Sequence, residues 1–266
     1  MNHLLFLGVG TIAAAVRRAL PALPASGTTR GVPDRRFETV QPIAAGDATA
    51  IRAAARGAHV VVSCPPDGSV DRAWSALIAD AASIVYLSST AVYPDNAGVV
   101  TEATPVVAHN ERSALRLTAE QLWLEAGASV VRLPAFYGTS SGLHVSIARG
   151  TFRLPGSGDN VVSRVHEDDA ARFVCAALCA RPRSLLLAGD AEPARVVDVV
   201  NFVCTLFDLP PPVSSHGEQI PLSLRASRQI DNRATREAHS IRLAYPSYRE
   251  GYQAIRTAAD NSPGGY

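Results

Sequence analysis

The stretch HLLFLGVGTIA, residues 3–13, decides the fold class because it joins an apolar run to a helix-like segment through a glycine-rich turn. The apolar run, residues 3–7, is typical of a strand that is buried on both faces of a parallel sheet. Gly8, Gly10 and Ala13 then fit the pattern G-x-G-x-x-A. In that pattern the first glycine permits a tight turn, the second lets a pyrophosphate approach the backbone, and the small third residue lets helix and strand pack closely.

The helix that follows this turn supplies the remaining contacts of the predicted site. Backbone N–H groups at a helix start have no partner within the helix, so those of Thr11 and Ile12 would point at a phosphate. A glycine-rich turn without a ligand is the alternative. Because the pattern stands directly between a strand and a helix, it favours a dinucleotide site.

Strand-like and helix-like segments alternate along the first two thirds of the chain. This alternation predicts an α/β fold of the Rossmann type, a doubly wound parallel sheet with right-handed crossovers. Besides residues 3–7, the predicted strands are 59–63, 83–87, 129–133 and 185–188, and the predicted helices are 11–20, 47–56, 70–82, 110–126 and 167–180.

The alternation becomes irregular after residue 133. We expect residues 1–138 and 159–188 to form the dinucleotide-binding core, and residues 139–158 and 189–266 to form a small substrate-binding lobe. Ligands of open α/β sheets bind beyond the carboxyl ends of the strands, so this lobe would cover the crevice. Within the lobe the sequence predicts helices near 144–149, over 193–208 with Pro193 in the first turn, and around 248–259.

The composition excludes several function classes. All 25 basic residues are Arg, so the chain has no P-loop Lys for a nucleoside triphosphate and no Lys for a Schiff base. With 47% hydrophobic and 18% charged residues, the chain can bury a sizeable core. A net charge of +1 gives no overall field for nucleic acid or a membrane surface. We therefore expect a small-molecule substrate as the partner.

The four cysteines show no typical ligand pattern. Cys64, Cys175, Cys179 and Cys204 form no C-x-x-C pair, and we interpret them as core thiols, with a metal site as the alternative. No apolar run approaches the ~20 residues of a membrane span, and the chain starts directly on a strand-like run. These features predict a cytoplasmic location.

The end of the second predicted strand, near residues 28–29, bears on the choice of cofactor. An acidic residue at this place usually binds the ribose of NAD, but here the next residue is Arg30. A guanidinium suits the 2′-phosphate of NADP, with Arg35 or Arg36 as helpers or as part of a solvated loop. We therefore expect NADP(H) over NAD(H). Asp47 either borders the adenine or caps a helix.

Four further segments carry a resemblance to a known family. They are LSSTAVY at 87–93, VRLPAFYG at 131–138, VHEDD at 165–169 and RLAYPSYREG at 242–251. With them the chain resembles the extended, and more closely the atypical, short-chain dehydrogenase/reductases over nearly its whole length. The resemblance implies a nicotinamide cofactor and an active site beside these segments.

The catalytic Tyr-x-x-x-Lys pair of that family is missing from its usual place. In the family a Glu follows the Lys by four residues, and Glu120 resembles that anchor. Counting back places Arg116 where the Lys would stand and Arg112 where the Tyr would stand. Arg116 could still bond the ribose hydroxyls. Arg112 is a poor proton donor, but it could stabilise negative charge or hold a substrate carboxylate or phosphate.

The resemblance also implies roles for side chains beside the crevice. Ser89 matches the active-site Ser, and Tyr93 is then the nearest phenol in sequence that could give a proton. Tyr137 and His144 would flank the substrate, although packing in the pocket wall is an equal alternative for the tyrosines. The family's cofactor contacts fall on Cys64, Pro65, Pro66, Ser88 and Pro134, and Phe136 would wall the pocket.

Three functions agree with these observations. The first is an NADPH-dependent reductase of a small polar metabolite, an imine, activated alkene or carbonyl, of the kind found in specialised metabolism. The second is a redox-neutral epimerase or dehydratase on a sugar-like substrate. The third is a non-catalytic NADP-binding regulatory protein. Helices 70–82 and 110–126 correspond to those that pair in many relatives, so a homodimer is also expected.

Overall fold

The fold is described from a computed structural model, and the description covers residues 2–215 and 226–261. In chain order the strands are β1 (Leu4–Leu7), β2 (Ala25–Thr29), β3 (Gln41–Ala44), β4 (His59–Val62), β5 (Ser83–Ser89), β6 (Gly98–Val100), β7 (Ser129–Leu133), β8 (Ala135–Tyr137), β9 (Leu154–Pro155), β10 (Val161–Val162), β11 (Arg164–His166), β12 (Leu185–Leu187), β13 (Ala194–Arg195), β14 (Ser214–Ser215) and β15 (Arg228–Ile230). The helices are α1 (Thr11–Ala19), α2 (Ala48–Ala55), α3 (Gly68–Leu77), α4 (Glu111–Glu125), α5 (Leu143–Ala148), α6 (Glu167–Cys179), α7 (Val196–Phe207), α8 (Arg233–Ala238) and α9 (Tyr248–Asp260).

The central element is a seven-stranded sheet with the order β12-β7-β5-β4-β1-β2-β3, in which every pairing is parallel. The predicted Rossmann-type doubly wound sheet is therefore confirmed. The strand order reverses at β1, whose neighbours are β2 on one side and β4 on the other. Loops leave such a switch point in opposite directions and open a crevice beyond the carboxyl ends of the strands.

Helices cover both faces of this sheet because its strands are apolar on both sides. Along β1 the buried side chains alternate, so that Leu4 and Phe6 join one core and Leu5 and Leu7 join the other. Helices α1 and α6 pack on the first face, whereas α2, α3 and α4 pack on the second. The result is a three-layer α/β/α core.

Three predicted helix boundaries were wrong by two residues or more, namely both ends of α3, which ends at Leu77 and not at residue 82, and the start of α7. Helix α3 begins at Gly68 because the side chain of Asp67 caps it, accepting hydrogen bonds from the N–H groups of Ser69 and Val70. Helix α7 begins at Val196 and not near Pro193. Residues 194–195 instead form β13, which pairs antiparallel with β10.

The residues beyond the central sheet build a second layer of short strands. Strands β13, β10, β15 and β6 form a four-stranded sheet, and β8 pairs with β11. Helices α5, α7 and α9 pack around a third core that contains Tyr137, Val199 and Tyr252. Since β6 comes from residues 98–100, the predicted core segment 1–138 contributes a strand to this layer. The division into core and lobe stays a prediction.

The cysteines occupy mixed environments. Cys175 packs against the core, but Cys179 is exposed, so the interpretation of all four as core thiols was wrong for Cys179. Among the described residues no group of three or more His, Cys, Asp and Glu side chains could hold a metal ion. Across 2–215 and 226–261, no helix combines the length and the apolar character that crossing a membrane requires.

Candidate functional site

A cleft of about 1150 Å³ runs along the carboxyl ends of the central strands. It begins at the glycine-rich turn before α1, passes the ends of β4, β5 and β7, and ends against the second layer of short strands. The predicted site residues that the cleft brings together are Gly10, Thr11, Ile12, Cys64, Pro65, Ser88, Ser89, Arg112, Arg116, Pro134, Phe136 and Tyr137.

The glycine-rich turn is shaped by two glycines with different constraints. Gly8 has φ +89°, and a Cβ there would lie 3.2 Å from the backbone N of Cys64. Its N–H donates to the Thr28 hydroxyl at 2.8 Å, which ties the turn to the end of β2. Gly10 precedes α1 with no side-chain cap, and a Cβ there would meet nothing within 4 Å. The helix start is therefore open to the cleft, as a bound pyrophosphate requires.

The basic residues after β2 lie on the surface outside the cleft lining. Arg30 is exposed, and within the described ranges it has no hydrogen bond or ion pair. Arg35 is also exposed, whereas Arg36 pairs with Asp34 through its Nε atom at 2.9 Å.

Two other predicted cofactor contacts also lie elsewhere. Asp47 caps α2 by accepting the N–H of Ala50, which is the helix-cap alternative expected for it. Pro66 also lies outside the cleft lining.

The two arginines that stand in the places of the catalytic pair both line the cleft. Nη1 of Arg116 donates to the Tyr86 hydroxyl at 3.3 Å and to the Leu87 carbonyl at 3.2 Å, so this guanidinium is held against the end of β5. Arg112 lies in the first turn of α4 and is exposed. The described part of the chain gives the guanidinium of Arg112 no ion-pair partner. Its charge is available to a ligand.

Ser89 ends β5 at the middle of the cleft, opposite Leu133 on β7. Its oxygen accepts the N–H of Ala91 at 3.1 Å, which fixes the position of the side chain. A hydroxyl that accepts one bond can still donate its hydrogen. Ser89 can therefore hold an oxygen or nitrogen of a substrate.

Tyr93 does not occupy the place predicted for a proton donor. Its side chain is fully buried and lies outside the cleft lining, because its hydroxyl is bonded by Arg132 at 2.9 Å. Arg132 also pairs with Glu120 at 2.7 Å, and the hydroxyl of Ser88 donates to the same carboxylate. Burial raises the pKa of Tyr93 above its ordinary value. The phenol belongs to a buried polar network, so we correct its assignment.

Tyr137 and His144 are packed in the wall of the lobe. Tyr137 is buried, stacks on Tyr252 at 4.5 Å between ring centroids, and donates to the carbonyl of Ser247. Burial raises its pKa as well, which opposes proton exchange. His144 is buried outside the cleft lining and stacks on Phe207 at 5.0 Å. Neither residue is placed to move a proton in the cleft. Tyr137 therefore fits the alternative of packing in the pocket wall.

The structure also brings an ionic cluster to the cleft that the sequence analysis did not single out. Asp95 accepts from Nη2 of Arg228 at 2.6 Å, and Nε2 of His109 lies 3.4 Å from the same carboxylate oxygen. The other ring nitrogen of His109 lies 3.0 Å from the carbonyl of Val107. Asp95 and Arg228 are 133 positions apart, so no local pattern could have connected them.

Arg164 is a further residue that sequence reasoning missed. It lines the far end of the cleft and is only 7% exposed. Its Nη1 atom donates to the carbonyl of Val162 at 3.3 Å, and in the described ranges no carboxylate forms an ion pair with it. Arg164 stands immediately before the segment 165–169, which carries part of the family resemblance.

The fold and this cleft define a class, a Rossmann-type α/β protein with a cleft at the carboxyl ends of its parallel strands. The sequence matches no protein-family model and no curated protein. A functionally unknown conserved protein from Silicibacter pomeroyi DSS superposes with a TM-score of 0.84 at 27% identity, over 98% of this chain and 100% of that chain.

Two enzymes solved with NAD have the same fold. DesIV, a dTDP-glucose 4,6-dehydratase from Streptomyces venezuelae, superposes with a TM-score of 0.78 at 16% identity, over 98% of both chains. The UDP-glucuronic acid 4-epimerase of Bacillus cereus superposes with a TM-score of 0.77 at 15% identity, over 97% of this chain and 99% of that chain. At these identities the likeness shows the fold alone, and at that level the expected resemblance is confirmed.

Proposed function

We propose that the chain is an NAD(P)-dependent enzyme that acts on a polar small molecule. The observation that carries this proposal is one continuous cleft of about 1150 Å³, which joins the open start of α1 to Ser89 and Arg116. Ligand pockets typically measure about 300–1000 Å³, so this space suits a dinucleotide with a substrate beside it. The uncrowded position of Gly10 fits the pyrophosphate at one end.

For the reaction we propose a redox-neutral epimerase or dehydratase cycle on a sugar-like substrate. The likeness to an epimerase and a dehydratase supports this reading over a net reduction. The bound nicotinamide would supply hydride transfer. The chain must then bind the reacting oxygen and stabilise negative charge. We assign the first role to Ser89 and the second to Arg112. Arg116 would bond the ribose hydroxyls.

The proton of the reacting hydroxyl needs another acceptor, because Tyr93 is buried and a guanidinium has no acceptor atom. We assign this step to His109, whose imidazole lines the cleft and is a side-chain type used for proton transfer. Its Nδ1 atom would keep its hydrogen on the Val107 carbonyl, so Nε2 would accept the proton, and Asp95, 3.4 Å from Nε2, would receive the new N–H. The pair would perform the proton transfer that a phenol performs in the family.

An NADPH-dependent reductase is the second candidate. Arg112 in the place of the phenol favours a substrate that needs no strong general acid, such as a C=N group that is already protonated. Arg30, exposed directly after β2, favours the 2′-phosphate of NADP. A non-catalytic NADP-binding protein would bind the cofactor at the same place but would catalyse no reaction.

The test incubates the protein with NADPH, NADP⁺, NADH or NAD⁺ and a panel of nucleotide sugars, imines and enones. Product formation without net change in nicotinamide absorbance supports the proposed cycle, and net oxidation of NADPH supports the reductase. For the proposed cycle, His109→Gln should lower kcat by about 10²–10⁴-fold, the size of a lost acid–base step, and Ser89→Ala by about 10²–10³-fold, the size of a lost hydrogen bond to the reacting oxygen. Cofactor binding without turnover across the panel would contradict both catalytic readings.

A further inference from the structure

Strand pairing relates the position of Arg164 to that of Ser89, which we propose holds the reacting oxygen. On β5 and β7, Ser89 is paired with Leu133, and two residues later Ala135 is paired with Arg164 of β11. With usual strand spacings, the Cα atoms of Ser89 and Arg164 are on the order of 10 Å apart. A small substrate could therefore touch both side chains at once.

The burial of Arg164 is unusual for a residue with so few partners. The residue is only 7% exposed, and within the described ranges its guanidinium makes one hydrogen bond, from Nη1 to the carbonyl of Val162. Burial lowers the pKa of Arg164, since the charged form has lost water. Buried charges in proteins are normally paired, because an unpaired one is costly to the folded state. Some group must compensate this cation when the protein works.

The neighbouring charges provide only part of that compensation. Asp190 attracts the charge of Arg164, but burial raises the pKa of Asp190 to about 8, and its Oδ1 atom has no hydrogen-bond partner in the described chain. Asp95 is already paired with Arg228 and lies beside His109. Arg164 instead lines the cleft.

We propose that Arg164 binds an anionic group of the substrate, a carboxylate or a phosphate, remote from the reacting carbon. This inference rests on the proposed function, because it names the substrate class of the same cleft. A planar guanidinium donates two parallel bonds to either oxyanion, and in a buried site such bonds are stronger than in water. Tyr137 and Tyr252, which line the same cleft, would help to exclude water from the pair.

The first experiment measures stability without any ligand. Replacing an uncompensated buried cation by an apolar side chain of similar length should be neutral or stabilising. We therefore expect Arg164→Met to keep or raise the unfolding midpoint of the ligand-free protein. Arg153→Met, an exposed arginine of the same lobe outside the cleft lining, is the matched control. A clear fall in the midpoint of Arg164→Met alone would mean that Arg164 is a structural ion-pair partner, and it would overturn the proposal.

The second experiment measures oxyanion binding to protein saturated with NADP⁺. Malonate and inorganic phosphate are titrated separately at constant ionic strength, with malonamide as the neutral counterpart of malonate. We expect at least one anion to raise the unfolding midpoint, malonamide to have no effect, and Arg164→Gln to weaken anion binding about tenfold or more. The arm that responds identifies the carboxylate or the phosphate.

Failure of this inference can be told from failure of the proposed function. If NADP⁺ binds but neither anion binds, or if Arg164→Gln and Arg153→Gln bind the anions equally well, the anion site is wrong and the cofactor site stands. If NADP⁺ itself does not bind, the same anion titrations on the free protein still test Arg164. Equal shifts in both variants would again overturn the proposal.

Discussion

Nη1 of Arg132 donates to the hydroxyl of Tyr93 at 2.9 Å, and this bond removes the phenol nearest to Ser89 in sequence from the cleft. Both partners are at least nine-tenths buried. The consequence is a separation of roles at the end of β5. Ser89 faces the substrate space, while Tyr93 belongs to the core that supports it.

The first prediction concerns this tyrosine. Tyr93→Phe removes the hydroxyl and leaves one N–H of a buried guanidinium without its partner. The free energy of unfolding should fall by about 1–3 kcal/mol, as measured by urea denaturation. Turnover by the folded variant should stay within about threefold of wild type, because no proton passes through this group. A large loss of kcat at unchanged stability would restore Tyr93 as the proton donor.

The second prediction concerns the ion pair behind it. Glu120 is 3% exposed and pairs with Arg132 at 2.7 Å. Glu120→Gln leaves a buried arginine without its counter-charge, which should lower the free energy of unfolding by about 3–5 kcal/mol. Glu125→Gln is the control on the same helix, where an exposed carboxylate contacts Gln121 and should contribute less than about 0.5 kcal/mol. Equal effects of the two changes would mean that the buried pair contributes little.

The third prediction is a pH dependence from Asp190. Burial raises the pKa of this carboxyl to about 8 in the folded chain, whereas an unfolded Asp has a pKa near ~3.9. Between these values the folded state holds a proton that the unfolded state has lost. This carboxyl therefore destabilises the folded chain progressively as pH rises from ~4 to ~8, and by a constant amount above that range.

Asp190→Asn removes this ionisation. Its stability advantage over wild type should be small near pH 4 and grow with pH by up to about 1.4 kcal/mol per unit until it levels near pH 8. Urea denaturation at several pH values measures the difference. A difference that shrinks as pH rises would show that Asp190 is ionised and stabilising, and it would also weaken the argument about Arg164.

The fourth prediction concerns the choice of cofactor. Arg30→Ala should weaken NADPH binding by about 10- to 100-fold, the contribution of charge-assisted bonds to a phosphate, and leave NADH binding unchanged. Arg36→Ala is the control, because Arg36 is already paired with Asp34. If the two variants bind both cofactors as wild type does, the preference for NADP has no basis at this position.

The cofactor half of the molecule was predictable because its signals are local. The strand, the turn with Gly8 and Gly10, and the helix start follow one another within residues 3–13, and each has a strong sequence preference. The hydrophobic periodicity of each core helix likewise extends over the whole helix. Errors there were shifts of a few residues, as at Asp67, where a side-chain cap moved the start of α3.

The substrate half was not predictable in the same way. Its strands have two or three residues, too few to show a periodic pattern, and they pair across long separations. Strand β13 displaced the predicted start of α7 because residues 194–195 pair with residues 161–162. The roles of Tyr93, Asp95 and Arg164 likewise depend on partners that only the folded chain supplies.

The central claim is that the start of α1 binds the pyrophosphate of a nicotinamide dinucleotide, and Gly10 tests it directly. A Cβ at Gly10 meets no protein atom within 4 Å, so Gly10→Ala and Gly10→Ser should fold and change the free energy of unfolding by no more than about 1 kcal/mol. The added atoms would occupy the approach path of the phosphate. Calorimetric titration should show dinucleotide binding to wild type and a loss of about tenfold or more in both variants. Unchanged affinity in both variants, or no binding to wild type, would contradict the account.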